Sequence, residues 1–368
     1  MDVDRLTPVS IEGLDDETAL IELLKLGLSL HASDLFILPG APVTVKCDGK
    51  LVSLTKERML PRDTSRMIAQ IYRLAGTREA DSLESTGDDD FSFSLADVSR
   101  FRCNAYRQRG TLAAVLRVVP FGLPDAATLH IPEEVMALSE MRRGLVLVTG
   151  SAGSGKSTTL ACLIDRINHT RMEHIITIED PIEFLYPHTM SIVSQREVAH
   201  DTETFQTALR ASLRQAPDVI LLGEMRDYET ISTALTAAET GHLLFSTLHT
   251  VGAAKTIDRL IDVFPAQQQQ QVRVQLSMVL QAVVSQQLLP CQKGGRVPAF
   301  EVMRVNRAVR NMIREGKVHQ LDNVIFSGAA EGMRAMDADL YRLYKEGMIS
   351  RDDALLYAIQ PETLEKRL

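Results

Sequence analysis

The segment that most constrains this chain is Gly150-Ser151-Ala152-Gly153-Ser154-Gly155-Lys156-Ser157, which fits the pattern G-x-x-x-x-G-K-[ST]. It follows the apolar run Leu145-Val146-Leu147-Val148 and precedes a helical pattern, so it joins a buried strand to a helix. Glycines let the backbone N–H groups turn inward around an anion, and the helix behind them presents the positive end of its dipole. Such a cradle suits the phosphates of a nucleotide. Lys156 is expected to meet the β- and γ-phosphates of ATP, and the Ser157 hydroxyl to ligate Mg²⁺. The binding stretch extends through Thr158.

The same half of the chain holds two more apolar runs, Ile175-Ile176-Thr177-Ile178 and Val219-Ile220-Leu221-Leu222. Strands buried on both faces read this way, which predicts an α/β domain with a mainly parallel sheet and helices outside it. Both runs end in acids. Glu224 follows Gly223 and is the first candidate for polarising an attacking water, or for holding Mg²⁺ through a water. The segment Glu179-Asp180-Pro181-Ile182-Glu183 brings three carboxylates to the same edge, which is costly without a cation. Glu183 is the competing general base, while Glu179 and Asp180 read equally well as structural groups. In Gly241-His242-Leu243-Leu244-Phe245-Ser246-Thr247-Leu248-His249-Thr250, a strand ends in hydroxyls and a histidine, and His249 is the candidate γ-phosphate sensor.

Upstream, an acid-capped amphipathic pattern from Asp15 to Leu28 predicts a helix, and Asp48-Gly49 between apolar segments predicts a tight hairpin. Alternating stretches near Phe91–Leu95, Phe101–Tyr106 and Ala113–Val119 complete an α+β reading for residues 1–119. The acidic run Asp88-Asp89-Asp90 is expected to be a solvated turn. Pro120, Gly122, Pro124 and Pro132 mark residues 120–132 as a linker, leaving 133–368 as the second domain with a helical C-terminal region. Gln267 to Gln271 reads as the solvated face of a helix, since Val272, Val274, Leu276 and Val279 follow at helical spacing.

Four segments in order, GSAGSGKST, ITIEDPIEF, PDVILLGEMRD and GHLLFSTLHT, resemble the Walker A, Asp box, Walker B and His box of the type II and type IV pilus secretion superfamily of ATPases. Ala32-Ser33-Asp34-Leu35 and Ser99–Tyr106 look like signatures of its N-terminal half, so the resemblance covers essentially the whole chain. It implies a PAS-like first domain, a RecA-like second domain, nucleotide between them and a homohexameric ring. It also implies arginines from the first domain near the phosphates, at positions matching Arg102 and Arg117; read without the family, these are surface residues on strand faces. Ala308–Glu315 is similar to the AIRNLIRE motif of the retraction branch, the PilT family. The four-cysteine zinc module common in the assembly and secretion branches is missing, with Cys291 alone near that region.

The expectation is therefore an ATPase that powers pilus retraction and twitching motility on an inner-membrane pilus platform protein. Accessory retraction, pilus assembly and type II secretion motors are the rivals within the class. A net charge of −8 and the lack of a recognisable nucleic-acid module argue against a RecA-like nucleic-acid translocase. Glu183 and Glu224 argue against a nucleotide-binding scaffold that does not hydrolyse. No apolar run of about 18 residues is found and the start lacks the layout of a signal peptide. The protein is expected to be cytoplasmic, peripheral to the inner membrane at the pilus base, without direct membrane insertion.

Overall fold

The structure is a computed structural model that describes residues 8–11, 13–47, 50–76, 81–95, 98–119 and 122–368. The Asp48-Gly49 turn, Pro120 and the first seven residues lie outside the described residues. Two compact units are present, Met1–Gly122 and Leu123–Leu368.

The first unit is an antiparallel sheet of β1 (Asp34–Ile37), β2 (Thr44–Cys47), β3 (Lys50–Ser53), β4 (Asp88–Leu95), β5 (Ser99–Gln108) and β6 (Thr111–Val119), in the order β3-β2-β1-β6-β5-β4. Alternation sends Leu35, Ile37, Phe91, Phe93, Phe101 and Cys103 inward, where helices Asp16–Ser29 and Pro61–Leu74 contribute Leu20, Leu24, Met67 and Ile71. Asp15 caps the first helix by accepting from the Thr18 amide at 3.0 Å. The acidic run is not a turn. It opens β4, and the period of the strand buries Asp89, whose Oδ2 accepts from the Tyr72 hydroxyl at 2.7 Å. Composition suggested solvent for this run, but one inward carboxylate with a phenol partner is compatible with a strand.

The second unit is built on β7 (Gly144–Thr149), β8 (His174–Glu179), β9 (Ile192–Glu197), β10 (Val219–Leu222), β11 (Leu243–Leu248), β12 (Leu280–Pro290) and β13 (Arg296–Arg304), in the order β13-β12-β7-β11-β10-β8-β9. All neighbours are parallel except β12 and β13. The central strands are buried along their full length, as an apolar run covered on both faces must be. Because β7, β11, β10 and β8 run the same way, the chain leaves each of them at one edge of the sheet. Leu123, Ala126 and Leu129 are half-buried and Ile131 buried against this unit's core. No helix among the described residues is long and apolar enough to cross a membrane.

The glutamine run lies in helix Ala266–Val279 and is mostly exposed, with Val272 and Leu276 turned inward. Against that helix packs Arg307–Arg314, capped by Asn306. Its apolar side faces inward: Val309 and Ile313 are fully buried in the unit's own core, and Met312 packs half-buried on it. Arg310 is likewise held inside the subunit. Its Nη1 donates to the carbonyls of Ser277 and Met278 at 2.7 and 2.8 Å, satisfying groups at the C-terminal end of the neighbouring helix. Ile313→Ala is therefore expected to cost about 2–5 kcal/mol of stability. The check is the thermal midpoint: a free docking surface would leave it unchanged, whereas a core residue lowers it along with ATPase activity.

Candidate active site

The phosphate-cradle sequence forms the turn between β7 and helix Lys156–Thr170. At two of its glycines a Cβ would have no room. At Gly150 (φ 148°) a Cβ would stand 2.3 Å from the Gln286 carbonyl oxygen and 2.6 Å from Ser154 Oγ. At Gly155, which begins the helix at φ 91°, it would meet Gln286 Nε2 at 2.8 Å. Gln286 lies on the adjacent strand β12 and also accepts from the Thr159 hydroxyl at 2.7 Å, so this one residue braces the loop and the first turn of the helix. The helix N-terminus carries no side-chain cap, which leaves its N–H groups available to an anion.

Lys156 is buried, and its Nζ donates to the carbonyls of Gly150 and Ser151, each at 2.9 Å. Desolvation pulls its pKa down, while the charges of Glu183 and Glu224 push it back up. The Ser157 hydroxyl donates to Glu183 Oε1 at 3.0 Å. A hydroxyl and a carboxylate placed side by side form a hard-oxygen donor set of the kind Mg²⁺ takes.

Glu224 leaves the end of β10 with its side chain only 13% exposed. Its Oε1 stands 2.7 Å from Arg226 Nε and its Oε2 3.4 Å from His249 Nε2. The glycine before it has a local cause. A Cβ on Gly223 would lie 3.2 Å from the Ile178 carbonyl and 3.4 Å from Glu179 Cα, so an aspartate there would crowd the neighbouring strand. Thr247 pins the same point by donating to the Gly223 carbonyl at 2.6 Å.

Lys156, Ser157, Glu179, Glu183, Glu224 and His249 line one cavity of about 280 Å³, with Ala152 and Gly153 of the loop. Asp180 also borders it but is exposed. Arg102 and Arg117 belong to the first unit, where they are direct cross-strand partners on β5 and β6. Each has an acid of its own: Arg102 is bidentate on Asp90, and Arg117 Nε donates to Asp34 Oδ1 at 3.0 Å. Sequence reasoning missed Gln286, whose role depends on a strand far along the chain. It also assigned nothing to Arg226, although that residue stands within the PDVILLGEMRD segment.

Glu179 is buried beneath the cavity, accepting from Thr177 Oγ1 at 2.6 Å and from Gln195 Nε2 at 3.4 Å. Burial, reinforced by the charge of Glu183, pushes its pKa from 4.5 up to about 7. The folded protein thus holds this proton more tightly than the unfolded chain does. Its contribution to stability is greatest below pH 4.5 and is lost as pH rises through about 7, on the order of 3 kcal/mol in all. Glu179→Gln, which keeps an acceptor oxygen and removes the charge, is expected to flatten that part of the curve. Denaturant midpoints at pH 5 and pH 8 test this; parallel pH dependences in the variant and the parent would contradict it.

Residues 28–341 match the family described as Type II/IV secretion system protein. The chain is 46% identical over 343 residues to the type IV pilus retractation ATPase PilT of Pseudomonas aeruginosa, covering 93% of this chain and 99% of that one. It is 50% identical over 276 residues to a twitching motility protein of Neisseria gonorrhoeae, covering 75% and 74% of the two chains. The crystal structure of the pilus retraction motor PilT with bound ADP superposes with a TM-score of 0.86 at 48% identity, covering 94% of this chain and 98% of that one. The fold is an α/β, RecA-like ATPase core with an N-terminal α+β domain, and the chain belongs to the type II/IV secretion system protein family.

Proposed function

We propose that this protein is an ATP-hydrolysing motor that powers retraction of type IV pili, and so twitching motility. Hydrolysis is carried by one observation, the convergence of Lys156, Ser157, Glu183 and Glu224 on a single cavity behind an uncapped helix N-terminus. Retraction is supported by full-length likeness to a protein named for that activity.

In this reading the loop amides and Lys156 hold the β- and γ-phosphates, and the cradle fixes the γ-phosphate for in-line attack. Ser157 Oγ, with Glu183 beside it, would hold Mg²⁺, which supplies neutralisation of charge shared between the β- and γ-phosphates. Glu224 is more enclosed than the exposed Glu183 and lies beside His249. It is the better placed to orient the attacking water and take its proton, with His249 reporting on the γ-phosphate end. Arg102 and Arg117 are the guanidiniums that neutralise charge developing on the transferred phosphoryl group. In the structure they pair with Asp90 and Asp34, so the phosphates would have to compete with these carboxylates for them. The working form is a homohexamer acting on a pilus platform protein at the cytoplasmic side of the inner membrane, without nucleic acid and without inserting into the bilayer.

The purified protein is expected to hydrolyse ATP only with Mg²⁺, without stimulation by DNA, and Lys156→Ala is expected to abolish turnover. Glu224→Gln is expected to keep nucleotide binding while losing about 10²–10⁴ in rate. Glu183→Gln is expected to raise the Mg²⁺ requirement more than it lowers the limiting rate. A larger rate loss in Glu183→Gln than in Glu224→Gln at saturating Mg²⁺ would exchange the two roles. Turnover unaffected by either change would refute the carboxylate mechanism.

A further inference from the structure

The five residues Gly223-Glu224-Met225-Arg226-Asp227 connect β10 to helix Tyr228–Glu239, and their backbone is held at both ends. Gly223 N donates to the Ile178 carbonyl at 2.8 Å and Met225 N to the Thr247 carbonyl at 3.2 Å. Asp227 caps the helix, accepting from the Thr230 amide at 2.8 Å. Met225 is buried, whereas Arg226 keeps 72% of its side chain exposed. The result is a fixed Cα carrying an exposed guanidinium, paired through Nε with Glu224 at 2.7 Å.

Arg226 also has somewhere else to go. It lines the cavity that holds Lys156 and Ser157, and it borders a second cavity of about 390 Å³ with Glu224, His249 and Arg259. The guanidinium occupies one oxygen of the carboxylate that would meet the water, so the base proposed above is restrained by its own neighbour. The γ-phosphate of ATP is a stronger lure for that neighbour, because its three oxygens match the planar fork and carry more charge than one carboxylate.

We propose that Arg226 exchanges Glu224 for the γ-phosphate, so that ATP, and not ADP, releases the carboxylate for work. Arg226 is then a residue that senses the third phosphate and positions the base, supplied by the same chain segment as the base itself. This rests on the assignment of the cavity as an ATP site.

The test is the ratio of affinities for a non-hydrolysable ATP analogue and for ADP, measured on the full-length protein by calorimetry. Arg226→Gln is expected to leave ADP affinity and the thermal midpoint unchanged and to cut the preference for the ATP analogue by roughly tenfold, as loss of a charge-assisted contact would. Arg226→Lys, which keeps the charge without the fork, is expected to fall between the two. In Glu224→Gln the guanidinium has lost its rival, so the ATP preference should rise, and that gain should be absent from the double variant Arg226→Gln/Glu224→Gln. Arg226→Gln with an unchanged preference, or with equal losses for both nucleotides, overturns the exchange while leaving the site assignment standing. A parent protein that binds neither nucleotide overturns the site assignment itself.

Discussion

The whole site depends on the parallel register of four neighbouring strands. Thr149 at the end of β7 pairs with Leu248, while Leu222 at the end of β10 pairs with both Ser246 and Ile178. Four chain segments therefore leave the sheet side by side, carrying the phosphate cradle, the Asp-box acids, Glu224 and His249. Parallel strands cannot be joined by tight turns, so each must be fed by its own crossover. That is why residues 150 to 249, scattered along the sequence, meet around one cavity. Strand β11 lies between the cradle strand and the Glu224 strand, which leaves room for a phosphoryl group between loop and carboxylate.

The electrostatics of this edge form a balanced set. Three glutamates and a buried lysine share a small space, and like carboxylates cannot all stay ionised cheaply when desolvated. The protein answers in different ways at different residues. Glu179, deepest, has its pKa raised by burial to about 7. Glu183 is exposed and bonded to Ser157, while Glu224 lies between a guanidinium and an imidazole. Lys156 draws stabilisation from Glu183 and Glu224 that offsets only part of the cost of its own burial. In the proposed mechanism a nucleotide entering with Mg²⁺ would bring both strong negative and strong positive charge and so compete for these pairings.

Much of this was legible in the sequence wherever chemistry requires certain residues within one short segment. The cradle, Glu224 after its strand and the acids after Ile178 are of that kind. Gly223, odd as a sequence letter, makes sense once β8 is seen 3.2 Å from where its Cβ would be. Long-range partners were not legible. Gln286 braces the cradle from a strand that the local pattern could not place beside it. Asp89 looked solvated because no sequence rule reveals the Tyr72 hydroxyl that donates to it inside the sheet. The helix Arg307–Arg314 is amphipathic, yet amphipathicity does not say which body the apolar side covers, and here it is the subunit's own core.

In the proposed function, ATP turnover at this cavity pulls pili inward. The most direct measurement is pilus retraction followed by fluorescence microscopy in host cells lacking the gene, complemented either by the parent sequence or by Glu224→Gln. The deletion and the Glu224→Gln strain are expected to keep surface pili that no longer retract, and the parent sequence to restore retraction. Loss of surface pili in the deletion strain, or normal retraction in cells carrying only Glu224→Gln, would contradict it.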